Sequence, residues 1–145
     1  MSFMADKVLL RRIYILLAIG GLFVVFVQIV GLLMDNTTDL VWWVANFFHT
    51  IGGAFAVIFV RTFFQYYRLR NKIILPLVFE ITIYIGGALI LGVFWEWYEL
   101  ILDRYRLLIL GIPSIASYAD NIGDLAFDML GALIVGAYLF LKPRK

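Results

Sequence analysis

The chain has 145 residues, of which 64% are hydrophobic and only 15% charged, and its mean hydropathy is +0.98. A soluble domain is about 45–50% apolar and about 25% charged, so an ordinary globular enzyme, a disordered tail and a free nucleic-acid binder are excluded. The absence of cysteine removes disulfides, thiolate metal sites and cysteine nucleophiles, and the net charge of +2 matters less than where the 12 basic and 10 acidic residues fall.

The first apolar run covers residues 13–34 and follows Lys7, Arg11 and Arg12. It exceeds the roughly 7–15 residues of a signal h-region, and no small-residue cleavage pattern follows it, so it reads as a retained span. About 20 apolar residues cross a bilayer as a helix. Three more segments qualify: residues 40–64, 73–102 and 122–141. The third is long for a perpendicular helix and is expected to tilt or to emerge beyond the bilayer. The whole chain, residues 1–145, therefore reads as one integral membrane domain, an all-α transmembrane bundle of four helices. The connection over residues 103–121 is the longest. Its Leu107, Leu108, Ile109, Leu110 and Ile112 argue for a segment that lies on the membrane or dips back as a lid, with Gly111 and Pro113 ending any short helix there.

Orientation follows from Lys and Arg. Lys7, Arg11, Arg12, Arg61, Arg68, Arg70, Lys72, Lys142, Arg144 and Lys145 fall on one side of a four-span chain, and only Arg104 and Arg106 on the other. Both termini are expected to be cytoplasmic. Trp42, Trp43, Trp95 and Trp97 fall near the outer interface, and Tyr14, Tyr66, Tyr67 and Tyr138 near the inner one, as amphipathic rings prefer. Gly20–Gly21, Gly52–Gly53 and Gly86–Gly87 within the first three spans, and Ala132 with Gly136 in the fourth, are small residues that let helices approach closely. The Ile-Gly-Gly shared by the first three spans is better explained by chance than by duplication, because successive spans run in opposite directions.

The acids are equally lopsided. Asp35, Asp39, Glu96, Glu99, Asp103, Asp120, Asp124 and Asp128 all fall in the outer half or outer loops. Glu96, Glu99 and Asp103 share a helical face at i, i+3, i+7, and Asp120, Asp124 and Asp128 form a slowly drifting stripe at i, i+4, i+8. Asp35, Asp39, Asp103 and Asp120 read as solvated or helix-end acids, Asp120 as a cap for the fourth span. Ionisable groups within spans usually face a bundle interior or a water-filled cavity. Counted inward from the outer ends, Asp128, Glu96, His49 and Gln28 lie roughly 8–13 Å deep, one on each span, and Asn46 shares the His49 face. His49 is the sole histidine, so any all-histidine metal site would need several chains. Glu80, nearer the inner side, is expected to pair with Arg61 or to snorkel.

Glu96, Glu99, Asp124 and Asp128 cannot all ionise in low dielectric without compensation. Arg104 and Arg106 could supply it from the loop. A divalent metal ion could supply it better, because hard cations prefer carboxylate oxygens; Glu96, Glu99, Asp120, Asp124 and Asp128 are the candidate ligands. Protonation would instead make the cluster a proton carrier or general acid, with His49, Glu96 and Asp124 as the candidate catalytic groups. The bland alternative is a set of polar residues that hydrogen-bond the helices together.

Phe94-Trp95-Glu96-Trp97-Tyr98-Glu99, followed by Asp120-Asn121-Ile122-Gly123-Asp124-Leu125-Ala126-Phe127-Asp128 and a Gly/Ala-rich last helix, resembles the YjdF-like small membrane proteins of bacteria and archaea. The layout is more distantly similar to the VanZ-like group, which usually has Asn where Asp128 stands. The resemblance runs from His49, and more firmly over residues 94–136. It implies a multi-pass fold in a bacterial or archaeal cell membrane, without an established chemistry, and points to Glu96, Glu99, Asp120, Asp124, Asp128 and His49.

Three functions compete: a metal- or cation-binding protein acting on a lipid or envelope precursor, with the 103–120 segment as cover; an oligomeric cation or proton transporter or channel; and a structural subunit without a ligand. No G-x-S-x-G, H-E-x-x-H, P-loop or C-x-x-C motif is present, and no nucleotide, haem or flavin signal. The bilayer is the expected partner, a homo-oligomer is compatible, and the basic residues, explained by topology, give no support to nucleic-acid binding.

Overall fold

The computed structural model describes residues 2–34, 39–111 and 118–142. They form four helices, α1 (Ser2–Leu33), α2 (Asp39–Asn71), α3 (Leu77–Leu110) and α4 (Tyr118–Leu141), and no strand among the described residues. Each helix is long and apolar enough to cross a membrane, over Lys7–Leu33, Leu40–Asn71, Leu77–Ile109 and Asp120–Leu141. A helix satisfies its backbone hydrogen bonds within one segment, which hydrocarbon demands.

Two helix limits differ from the sequence expectation. Residues 73–76 are not helical. Pro76 lies at the N-cap of α3 with φ −57° and ψ 147°, and a proline biases the residue before it towards extended backbone. Lys72 closes α2 in the left-handed region (φ 53°), and the Ile73 amide donates to the Arg68 carbonyl at 3.1 Å, the long bond of a Schellman turn. At the other end, α3 continues through residues 103–110 until Gly111, whose left-handed φ of 67° lets its amide bond the Arg106 carbonyl. The expected surface loop or lid over these residues is thus the last two turns of α3. Ile112 and Pro113 lie outside the described residues, as does Asp35.

Contacts between named residues set the directions. α2 and α3 are antiparallel, with Val60 against Gly87, Phe64 against Tyr84 and Arg68 against Glu80. α3 and α4 are antiparallel, with Gly92 at Asp128 and Ile85 at Gly136. In α1 and α2, Gly20 meets Phe55, and Phe23 and Phe26 meet Phe48. The chain therefore runs up, down, up, down, and Ser2 and Lys142 lie at one end, with the Lys and Arg residues at the close of α2. We call this the basic end and the opposite one the acidic end.

The core is Ala56, Val57, Ile81, Tyr84, Ala88 and Ala132. Small residues set its closest approach. A Cβ on Gly53 would overlap the Asp128 carbonyl, and one on Gly131 the Thr50 carbonyl, so α2 and α4 cross backbone to backbone. Gly21 and Gly86, expected to serve the same purpose, have nothing near them. α1 is peripheral. It packs closely only against α2, and its most apolar stretch has no buried residue.

Candidate cation site

Around the α2–α4 crossing, three helices bring their polar side chains together. His49 sits on α2 about 15 Å from its start, and Asp128 about 15 Å into α4. His49 Nδ1 lies 3.4 Å from Asp128 Oδ1 and 3.8 Å from Glu96 Oε1, and His49 Nε2 lies 3.6 Å from Asp124 Oδ1. His49, Glu96 and Asp128 are buried, Asp124 and Glu99 half-buried. These separations exceed an ordinary hydrogen bond, so both nitrogens face acids without being tightly held.

One donor atom each from His49, Glu96, Glu99 and Asp124 lies within 4.8 Å of the others. Oxygen ligands bind a divalent ion at about 2.0–2.6 Å, depending on the metal, so donors on opposite sides of one ion stand about 4–5 Å apart. The donor set has the dimensions and mixed nitrogen–oxygen chemistry of a cation site. Asp128 falls outside the four-atom set but faces His49, where a carboxylate can orient a ligating imidazole. Asp120, in the first turn of α4, also falls outside it. Asp120 does not occupy the N-cap expected of it, because α4 already begins at Tyr118.

Charge is not balanced locally. One imidazole contributes at most one positive charge against four carboxylates. Arg106, expected to compensate them, donates instead to Gln28 Oε1 at 3.1 Å and lies 3.7 Å from Asp103, while Arg104 is exposed. Gln28 is thereby engaged with α3 through Arg106. Two buried carboxylate oxygens, Glu96 Oε1 and Asp128 Oδ2, have no hydrogen-bond partner, and neither has Asn46 Oδ1. Asn46 is held through its other atom, Nδ2, which donates to the Trp42 carbonyl at 2.8 Å. Unsatisfied buried acceptors are rare in folded proteins and call for an explanation; a bound cation supplies one.

Four residues contribute to the site beyond the donors themselves, and of these only Gly53 was marked in the sequence, as a small residue for close helix approach. Gly92 makes room for Asp128, since a Cβ there would lie 2.7 Å from Oδ2. Gly53 and Gly131 bring the helix carrying Asp128 onto the helix carrying His49. Trp95, read as an interfacial ring, is half-buried and lines a crevice beside the cluster, while Trp42, Trp43 and Trp97 are exposed. At the basic end, Glu80, expected to pair with Arg61 or to snorkel, is ion-paired with Arg68 and accepts from the Tyr84 hydroxyl at 3.2 Å.

Fold and site together define a multi-pass helical membrane protein with a buried histidine–carboxylate cluster. The chain belongs to the family described as "Predicted membrane protein (DUF2238)", whose model matches residues 6–145. No curated protein and no solved structure matches it.

Proposed function

We propose that the protein binds a divalent cation within the bundle, with His49, Glu96, Glu99 and Asp124 as ligands and Asp128 orienting His49. The convergence of these donors from three helices within 4.8 Å carries the reading. The unpartnered Glu96 Oε1 supports it, as does the fact that, among the described residues, the ion pairs of Glu96, Asp124 and Asp128 are with His49 and none is with Lys or Arg. When bound, the ion would supply Lewis acidity to an oxygen of a lipid or envelope precursor. Glu80 is tied to Arg68 and Tyr84, which favours a one-sided site over an acidic path through the bilayer. The excess of Lys and Arg at the basic end supports cytoplasmic termini, which would put the cation site in the outer half, and the YjdF-like resemblance supports a bacterial or archaeal cell membrane. The Asp120-x-x-Gly123-Asp124-x-x-x-Asp128 run favours a YjdF-like relationship over a VanZ-like one.

The test is metal analysis and thermal unfolding of purified protein stripped with EDTA, then titrated with Mg, Ca, Mn and Zn ions. One ion should bind about once per chain and raise the melting temperature; at a hundredfold excess over Kd the gain is about 2.7 kcal/mol. A Glu96→Gln, Asp124→Asn double variant should lose the response. Wild-type protein that retains no ion and responds to none would end the reading.

A further inference from the structure

Beside the cation site lies a partly enclosed crevice of about 300 Å³. That is the lower end of the size range of small-molecule sites. α1 and α3 form its two sides and α2 its floor. It exists because α1 packs closely on α2 and leaves α3 unpaired on that side. Its walls are apolar and rich in aromatic rings, among them Phe23 on α1, Phe48 and Phe55 on α2, and Trp95 on α3. It is not apolar throughout. His49, Glu99 and Asp128 also line it, and Glu96 and Asp124 do not.

Asp128 decides what such a crevice selects. It is 5% exposed, it lines the crevice, and its Oδ2 has no hydrogen-bond partner. Gly92 gives the carboxylate the room it occupies, since a Cβ there would lie 2.7 Å from Oδ2, while a Cβ on Gly52 would be in ordinary contact with Oδ1 at 3.7 Å. An anionic head is disfavoured, because Glu99 and Asp128 line this end of the crevice and, among the described residues, no Arg or Lys does. A small hydrated inorganic cation gains nothing from the rest of the crevice, whose rings offer no oxygen to replace its water. An organic cation fits both parts. Its apolar groups are driven into the walls, its charge meets the carboxylates, and ring faces attract an ammonium through their quadrupole.

We propose that this crevice is a binding site for a lipophilic organic cation, an ammonium bearing apolar groups, which seats its charge at Asp128 and Glu99 and its body against Trp95 and the phenylalanines. The site is distinct from the divalent-ion site but shares His49 and Glu99 with it, so the two occupants exclude each other. It does not require that a metal ever binds.

The experiment is calorimetric titration of the purified full chain, in uncharged detergent with EDTA, using benzyltrimethylammonium. Neopentylbenzene, its uncharged carbon isostere, is the control. Saturable binding of about one ammonium per chain is expected, and none of the control. Asp128→Asn should weaken the ammonium by about tenfold or more. Trp95→Leu should weaken it about threefold or more, the scale of a partly desolvated cation–π contact. Val27→Trp fills the crevice from α1, the helix that carries none of the donors of the ion site. It should abolish ammonium binding and leave any divalent-ion response intact, which separates the crevice from the ion site. Absence of saturable binding in the wild type overturns the proposal, as does equal binding of the uncharged isostere. So does a Val27→Trp variant, or a folded Asp128→Asn variant, that binds as the wild type does. Ammonium binding without any metal response would keep this proposal and end the divalent-ion reading; metal binding without ammonium binding would do the reverse.

Discussion

Glu80 and Glu96 lie on the same helix, and both are only 6% exposed, yet their surroundings differ. Glu80 is ion-paired with Arg68 and accepts from the Tyr84 hydroxyl. Glu96 has one charged contact within 4.0 Å, at 3.8 Å from a histidine that also faces Asp124 and Asp128, and its Oε1 has no hydrogen-bond partner. A buried carboxylate with a guanidinium and a hydroxyl is satisfied by the chain itself and needs nothing further. A carboxylate among other carboxylates is incomplete, and only something from outside the chain completes it. The contrast separates an acid paired within the chain from the acid proposed as an ion ligand on the same helix.

The largest effect is expected at the satisfied end. Removing one partner of a buried ion pair typically loses about 3–5 kcal/mol. The Arg68 side chain is 30% exposed, so Arg68→Met should lose less, about 2–3 kcal/mol. Reversible unfolding in mixed micelles measures it. Adding Glu80→Gln should recover part of the loss, because the charge left behind is then removed. An Arg68→Met protein as stable as the wild type would mean that Glu80 does not depend on its guanidinium, and the contrast between the two ends would fall.

Next comes the crossing that assembles the acidic end. Gly131→Ala places a methyl on the Thr50 carbonyl. Backbone cannot give way as a side chain can, so α2 and α4 must separate at about 1–3 kcal/mol. Gly21→Ala, with nothing near its Cβ, should be neutral or stabilising by about 0.5–1 kcal/mol. Equal outcomes for the two glycines would show that the crossing does not depend on close contact. The same separation would move Asp128 from His49, so any cation response should weaken with Gly131→Ala and not with Gly21→Ala.

These glycines mark where the sequence stops being readable. Four spans are visible because twenty apolar residues in a row have few other meanings, and the bias of Lys and Arg bears on the pairing of ends. The shared depth of Asp128, Glu96 and His49 was legible from the count of about 1.5 Å per residue, which needs no tertiary information, and helical face added Glu99 and Asp124; the same count also gave Gln28. Rotation about each helix axis is a property of packing, and it decided the rest. It turned Trp95 inward and placed Gln28 on Arg106, away from the cluster. It also gave Glu80 a pairing with Arg68, about two turns further along α2 than Arg61. Helix ends failed for a different reason. Residues 103–110 carry charges among leucines and read as a surface segment, but nothing in them breaks a helix until Gly111.

The third prediction concerns a sign. In chelator, Asp128→Asn removes one of several crowded carboxylates and should raise stability by about 1 kcal/mol. With a divalent ion bound, the same substitution would remove the carboxylate proposed to orient His49 and should lower stability relative to the wild type. Arg68→Met should be insensitive to the ion. Thermal unfolding with and without the responsive divalent ion reads both. A substitution at Asp128 that destabilises equally in chelator and in metal would make the cluster a hydrogen-bonded structural element like the one around Glu80.

The smallest effect tests how the satisfied end is built. Tyr84 is 2% exposed, and its hydroxyl donates to Glu80 Oε2 at 3.2 Å. Tyr84→Phe keeps the ring and its edge contact with Phe64 at 5.9 Å and removes only the donor. Polar contacts of this kind in membrane proteins average about 0.6 kcal/mol. The loss should grow in the Arg68→Met background, because the hydroxyl then carries more of the stabilisation of Glu80. A double-mutant cycle measures that coupling. A coupling of zero would mean that Arg68 and Tyr84 act on Glu80 independently. A clear coupling would show that this buried acid is held by a network built into the chain, which is what the carboxylates around His49 lack.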